Sequence, residues 1–143
     1  RDFCLSRGLG DVYKRQVASS STAQAFFAHR NNEACGLVWC KASDVESSVV
    51  EIFQMWVAPD ARGLGAGSAL LERAITWAED RGAACVRLGV TIADSPAMHL
   101  YKASGFHAVG APEPLREGSA LMSQSMELNL GSRLARKGQG LGR

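Results

Sequence analysis

The feature that most constrains the fold of this chain is a strand, a glycine turn, a helix and a second strand in succession over residues 49–89. β-Branched and aromatic residues fill positions 49–57, and Pro59 and Asp60 follow them, which is typical of a strand that ends in a turn. A helix is predicted over about residues 68–81, because apolar side chains recur there with a period near 3.6, at Leu70, Leu71, Ala74, Ile75 and Ala78. Gly82 stands where a left-handed helix cap is expected. The glycines of the turn therefore lie at a helix N-terminus.

That position has a chemical meaning. The first turn of a helix has backbone N–H groups without intrahelical partners, and the helix dipole adds partial positive charge there. Gly63, Gly65 and Gly67 lack the Cβ atoms that would keep an anion from the backbone, and Arg62 adds a cation beside them. The sequence predicts a phosphate or pyrophosphate ligand.

Two common nucleotide motifs fit the turn poorly. A Walker loop needs Gly-Lys-Ser/Thr, but Gly67 is followed by Ser68 and Ala69, so the lysine for the terminal phosphates is missing. A dinucleotide fingerprint needs G-x-G-x-x-G, but the sixth position counted from Gly63 is Ser68. A tight turn with no ligand is the remaining structural alternative.

The rest of the chain predicts an α+β domain. Residues 25–29 and 35–40 favour a hairpin, so three antiparallel strands precede the helix. A second helix is predicted over about residues 97–104, with Asp94 or Ser95 as its cap, and strands are predicted at 106–109 and 121–128 around a Pro- and Gly-rich loop. We expect a mixed, mostly antiparallel sheet flanked by helices.

Composition excludes several classes of protein. The 143 residues suit one domain, and no apolar run approaches the length of a membrane span. The four cysteines form no C-x-x-C pair and the three histidines show no zinc spacing, so no metal site is expected. We expect a cytoplasmic protein with free thiols and no membrane partner.

Both ends of the chain differ from its middle. Residues 1–16 show little apolar periodicity and look like a translated sequencing adapter, so we expect them to be non-native or disordered. Residues 131–143 form a basic, flexible tail, and residues 17–130 form a mildly acidic domain. This distribution does not predict a nucleic-acid-binding surface.

Two motifs resemble those of the GCN5-related N-acetyltransferases (GNAT). The first is Arg62-x-x-Gly65-x-Gly67 after a strand that ends at Val57. The second is the run Asp94-x-x-Ala97-x-x-Leu100-Tyr101-x-x-x-Gly105-Phe106. Asparagine is common at the first place of that run, and Asp94 lacks its amide donors. The resemblance implies the GNAT acyl-CoA N-acyltransferase fold.

The resemblance also implies acetyl-CoA as co-substrate. Backbone groups of Met55, Trp56 and Val57 would bind the pantetheine, with an N–H near Val57 polarising the thioester carbonyl. Asp94 would lie near the pantetheine arm. The pyrophosphate would be held by seven consecutive residues: Arg62, Gly63, Leu64, Gly65, Ala66, Gly67 and Ser68.

Two catalytic roles follow from the same resemblance. Tyr101 matches the general acid that protonates the leaving thiolate, although it could instead only pack against the pantetheine. Glu51 matches the carboxylate base of histone-type members, with an ordinary solvated strand residue as the alternative. The implied reaction is direct attack of a primary amine, of a small molecule or a peptide, on acetyl-CoA.

One feature of the family has no counterpart in the predicted elements. Members usually begin with a strand and one or two helices that wall the acceptor site, and the first strand predicted here is already the second of that plan. Without the wall the chain would turn over poorly or fold only as a homodimer. The alternative function is a non-catalytic coenzyme A-binding module.

Overall fold

The computed structural model describes residues 4–7, 22–46, 48–93 and 95–131. Within them, seven strands form one sheet in the order β1-β2-β3-β4-β5-β7-β6, together with two α-helices and a short 3-10 turn at Pro59–Ala61. Every neighbouring pair is antiparallel except β4 and β5. The elements are β1 (Cys4–Arg7), β2 (Ala23–Arg30), β3 (Glu33–Ala42), β4 (Val49–Val57), α1 (Ala66–Asp80), β5 (Cys85–Thr91), α2 (Ser95–Ala103), β6 (His107–Pro114) and β7 (Met122–Asn129). The predicted α+β class and mixed sheet are confirmed.

Helix α1 forms the crossover that makes β4 and β5 parallel. The five predicted apolar positions are buried and pack against β2, β3, β4 and β5: Leu70, Leu71, Ala74, Ile75 and Ala78. Gly82 has a φ of 78°, which confirms the left-handed cap. The helix begins at Ala66, about two residues before the predicted start, so the glycine turn runs directly into its first turn.

Strands at the edges of the sheet differ most from the prediction. Cys4–Arg7 pairs antiparallel with β2, although the low periodicity of the N-terminal stretch predicted no strand there. β6 extends to Pro114, through a segment predicted as loop. Its pairing with β7 jumps from Val109 opposite Ser125 to Glu113 opposite Ser123, so β6 absorbs the extra residues as a bulge. Proline is tolerated because β6 is an edge strand.

Strands β4 and β5 separate part of the way along their length. Their ladder ends at Ile52 opposite Leu88, whereas β4 continues to Val57 and β5 to Thr91. On its other side β4 contains a bulge, because Gln54 pairs with Trp39 but Ile52 pairs with Cys40, which leaves Phe53 as the extra residue. The bulge and the separation open the sheet at the end of β4 that leads into the glycine turn.

Candidate active site

The N-terminus of α1 is left open by the glycine turn. Gly65 is the N-cap with a φ of 98° and provides no side-chain cap, and Gly63 has a φ of 80°. The first helical hydrogen bond shown runs from the Ala69 N–H to the Gly65 carbonyl at 3.0 Å. The N–H groups of the first turn therefore lack an intrahelical acceptor and a cap. A Cβ built at Gly63 or Gly65 meets no atom within 4 Å, so the space at the turn is open.

Arg62 connects the turn to the end of the strand. Its Nε donates a hydrogen bond to the Val57 carbonyl oxygen at 3.0 Å. The sequence predicted a cation beside a phosphate but not this bond, which joins residues five positions apart in the chain. The exposed guanidinium thus holds the turn against β4 at the place where the strand ends.

A cleft of about 610 Å³ lies against the turn and is called the glycine cleft below. Most of the residues predicted to bind the coenzyme line it: Met55, Trp56, Val57, Arg62, Gly63, Gly65, Gly67 and Ser68. Leu64 is exposed and Ala66 is buried, and neither lines the cleft. Asp94 lies outside the described residues. Helix α2 closes the opposite side with Pro96, Ala97, Leu100 and Tyr101.

A second cleft, of about 560 Å³, occupies the gap between the separating strands β4 and β5 and is called the splay cleft below. Its lining includes Glu51 from β4, Thr91 from β5 and Ser125 from β7. The two clefts share three lining residues, which are Met55, Ala97 and Tyr101. The structure thus joins the predicted coenzyme residues to Glu51 through Tyr101.

Tyr101 lies at this junction in a fixed position. Only 8% of the residue is exposed, and its ring packs against Phe106 with the centroids 5.9 Å apart. Its hydroxyl donates a weak hydrogen bond to the Met55 Sδ atom at 3.9 Å. The phenol is held by α2, and its hydroxyl is next to a sulfur atom in the strand opposite.

Glu51 is half-buried and stands between two cations that other carboxylates already bind. The sheet places it opposite Lys41 of β3 and opposite Arg87 of β5. The Lys41 Nζ contacts Asp44 at 3.2 Å, and Arg87 contacts Glu46 at 2.9 Å and Glu127 at 2.7 Å. In the part of the chain that the structure describes, the Glu51 carboxylate makes no hydrogen bond or ion pair, although the residue itself is paired in the sheet with both neighbouring strands. Its carboxylate is therefore available to a ligand.

Arg87 also lines the splay cleft, and the sequence did not identify it as a site residue. Hydrogen bonds to Glu46 and Glu127 raise the pKa of its guanidinium, so it remains charged and engaged. The signal in the sequence is weak: a lone arginine among the apolar residues of β5, whose partners are about 40 positions away. Ser125 was missed for a similar reason, because only the pairing of β5 with β7 brings it to the cleft.

Two further properties of the described residues concern metal ions and membranes. These residues contain no group of three or more His, Cys, Asp or Glu that could hold a metal ion. Neither of the α-helices in these residues combines the length and the apolar character that a membrane-spanning helix needs.

Comparison with known proteins shows which family the sequence matches. A family model described as the acetyltransferase (GNAT) family matches residues 5–106. The chain is 41% identical over 64 residues to the streptothricin acetyltransferase of Streptomyces lavendulae, covering 45% of this chain and 34% of that protein. It is 31% identical over 116 residues to a mycothiol acetyltransferase of Acidothermus cellulolyticus, covering 71% and 36%. The chain spans about a third of the length of the curated relatives it matches.

The fold also matches solved structures. A Bacillus anthracis protein crystallised in complex with acetyl coenzyme A superposes with a TM-score of 0.73, covering 90% of this chain and 84% of that one. The sequence identity is 17%, so the likeness is one of fold.

Proposed function

This chain belongs to the acetyltransferase (GNAT) family, and on that premise we propose that it transfers an acetyl group from acetyl-CoA to a primary amine. One observation carries the proposal: the glycine cleft and the splay cleft meet at Met55, Ala97 and Tyr101. A coenzyme held by its pyrophosphate at the glycine turn would reach this junction with its thioester. An amine in the splay cleft would approach the same point from the other side.

The chain's own residues suit acetyl-CoA. The uncapped N–H groups of the first turn of α1, with Arg62 beside them, offer donors and positive charge to a pyrophosphate. Past Ile52, β4 has no ladder with β5, so backbone groups near Met55 and Val57 can bind the pantetheine amides. A backbone N–H in this stretch can stabilise the negative charge that develops on the thioester oxygen.

Two side chains move the protons. Glu51 accepts a proton from the amine, directly or through one water, as the nitrogen forms its bond to the acetyl carbon. Tyr101 donates its hydroxyl proton to the sulfur as the carbon–sulfur bond breaks, which releases coenzyme A as a thiol. The unpaired Glu51 carboxylate and the position of Tyr101 at the junction support these roles.

The acceptor is proposed more broadly than the donor. The named relatives suggest streptothricin-type and mycothiol-pathway amines as the first compounds to test. We also propose a cytoplasmic location, since Cys35, Cys40 and Cys85 are free thiols, which suit a reducing compartment.

The experiment that tests the function is an amine screen with Tyr101→Phe. The wild-type chain should release coenzyme A only when an acceptor is present, with one acetylated amine per thiol. The variant should lower kcat roughly 10²-fold, because it lacks the proton for the leaving sulfur, and should leave the acetyl-CoA Kd within about twofold. The control Ser104→Ala removes a hydroxyl near the end of α2 that lines neither cleft.

The outcomes separate the two candidate functions. Unchanged turnover in Tyr101→Phe would remove the acid role of the phenol. Tight acetyl-CoA binding with no transfer to any amine would favour the non-catalytic coenzyme-binding module.

A further inference from the structure

Met55 occupies the junction of the two clefts because of the bulge in β4. Strict alternation would place Gln54 on the same face as Ile52, but the extra residue Phe53 reverses the order. Met55 consequently pairs with Val38, which is fully buried, and its side chain lies on the face that α1 covers. Of the three shared residues it has the most flexible side chain, since Ala97 ends at Cβ and Tyr101 is packed in place.

The Met55 side chain reaches from the phenol towards the glycine turn. At its sulfur it accepts the hydrogen bond from Tyr101, at 3.9 Å. At its methyl end, Cε lies 3.6 Å from the point where a Cβ on Gly67 would stand. The thioether therefore fills the space between the phenol and the first turn of α1.

The geometry of the reaction brings the acyl group to this side chain. If Tyr101 protonates the leaving sulfur, the sulfur must come within about 3 Å of its hydroxyl. The carbonyl carbon is one bond from the sulfur and the acyl chain begins one bond further on. The first carbons of the acyl chain must therefore lie within a few bond lengths of the atoms that Tyr101 contacts, among which is the Met55 sulfur.

We propose that Met55 sets the length of the acyl group that the site accepts. This inference rests on the proposed function, because it uses Tyr101 as the group beside the thioester sulfur. The Met55 thioether leaves room for the methyl group of an acetyl thioester and occupies the space that longer acyl chains need. Its truncation to alanine removes Cγ, Sδ and Cε, and these three atoms leave enough space for the two additional carbons of a butyryl group.

The test compares donors of two lengths. The ratio of kcat/KM for butyryl-CoA to that for acetyl-CoA is measured in the wild type, Met55→Ala and Met55→Leu with one acceptor amine. The ratio should be low in the wild type, should rise at least about tenfold in Met55→Ala, and should remain low in Met55→Leu, which keeps the volume; one methylene in an apolar pocket changes selectivity by about 10- to 200-fold. An unchanged ratio in Met55→Ala, or an equal rise in Met55→Leu, would overturn the proposal.

A matched control and a milder variant complete the design. Met98→Ala makes the same truncation on α2 at a half-buried position that lines neither cleft, and its ratio should equal that of the wild type. An equal rise in Met98→Ala would show a general loosening and would overturn the proposal. If Met55→Ala does not fold, Met55→Val replaces it, with a smaller rise expected for the longer thioester.

Calorimetric titration separates this inference from the function on which it rests. The affinity for butyryl-CoA relative to acetyl-CoA should rise in Met55→Ala even if no amine in the screen is acetylated. Equal relative affinities in the wild type and the variant would overturn the role of Met55 alone. Failure of both thioesters to bind the folded wild-type chain would overturn the proposed function, and this inference with it.

Discussion

At the scale of single residues, the proposed role of Glu51 depends on whether the cations beside it are already bound to other carboxylates. Lys41 and Arg87 flank Glu51 on the neighbouring strands, yet each is bound to other carboxylates. A carboxylate that pairs with neither neighbour contributes little to folding and can bind or deprotonate a ligand. The same side chain would be an ordinary structural residue if either cation were directed at it.

Replacing Glu51 should therefore separate activity from stability. In Glu51→Gln we expect kcat/KM to fall roughly 10²-fold, since the amide cannot accept the proton of the amine. The free energy of unfolding should change by less than about 0.5 kcal/mol, because no ion pair is lost. Steady-state kinetics and urea unfolding check the two halves of this prediction.

Glu33→Gln is the matched control, since Glu33 is exposed at the start of β3 and lines neither cleft. It should leave both quantities unchanged. Full activity in Glu51→Gln would contradict the base role, and a large loss of stability would show that the carboxylate is structural.

Sequence patterns indicated individual candidate site residues, but they did not indicate the ion pairs that surround these residues. Tyr101 and Glu51 were predicted from motif positions, and the structure brings both to the splay cleft. The engagement of Arg87 by Glu46 and Glu127 could not be predicted, because it depends on strand pairings between distant parts of the chain.

At the scale of elements, α1 offers a matched pair of glycines at its two ends. Gly65 precedes the helix with a φ of 98° and Gly82 follows it with a φ of 78°. Neither would meet an atom within 4 Å if a Cβ were added, so the two alanine variants share the same backbone strain and no steric clash. Only Gly65 lines the glycine cleft.

We expect Gly65→Ala and Gly82→Ala to lose similar stability, about 1 kcal/mol each, because an L side chain is disfavoured at these angles. The acetyl-CoA Kd should rise at least about tenfold in Gly65→Ala alone, since the methyl group enters the space open to the pyrophosphate. Thermal unfolding and calorimetric titration provide the two measurements. Equal affinities in the two variants would mean that the glycine turn is purely structural.

Periodicity predicted the elements and failed at the bulges. The alternating pattern of β4 is interrupted at Phe53, so the sequence alone did not show which of Met55 and Trp56 faces α1. The bulged β6 was predicted in part as a loop, because Gly110 and its prolines are typical turn residues. In both cases the extra residues are absorbed by pairing with a partner strand, which a local pattern does not contain.

At the scale of the whole molecule, the core makes folding sensitive to alkaline pH. Cys40 is fully buried, and its thiol donates a hydrogen bond to the Gln24 carbonyl oxygen at 3.3 Å. Burial raises the pKa of this thiol from its ordinary value of 9.0 to about 12, although Arg81 and Arg73 act in the opposite direction. The unfolded chain therefore releases this proton at a lower pH than the folded chain does.

Because the pKa of Cys40 is higher in the folded chain than in the unfolded chain, the free energy of unfolding decreases as the pH rises. The stabilisation is fully present below pH 9.0 and is lost as the pH rises towards about 12. Between pH 8 and pH 10 the free energy of unfolding of the wild type should fall by about 1 kcal/mol more than that of Cys40→Ala. Urea titrations of both proteins at the two pH values measure it, and parallel curves would contradict the assignment.

Of the fold and the candidate site, the fold was easier to predict from the sequence. Strand and helix patterns, with the one crossover helix, were sufficient for an α+β domain with a mixed sheet. The clefts were not predictable in the same way, because they arise where the β4 and β5 ladder stops, and no residue pattern marks that point. Motif resemblance predicted which residues bind the coenzyme, and the separation of the two strands explains why the cleft that most of them line adjoins the cleft of Glu51.

The most direct test of this account is a crystal structure of the chain with acetyl-CoA, in which the distance from the Tyr101 hydroxyl to the thioester sulfur is measured. We expect that distance to be about 3 Å, with the pyrophosphate oxygens within about 3.2 Å of N–H groups in the first turn of α1. A pyrophosphate bound away from the glycine turn, or a sulfur beyond the reach of Tyr101, would contradict it.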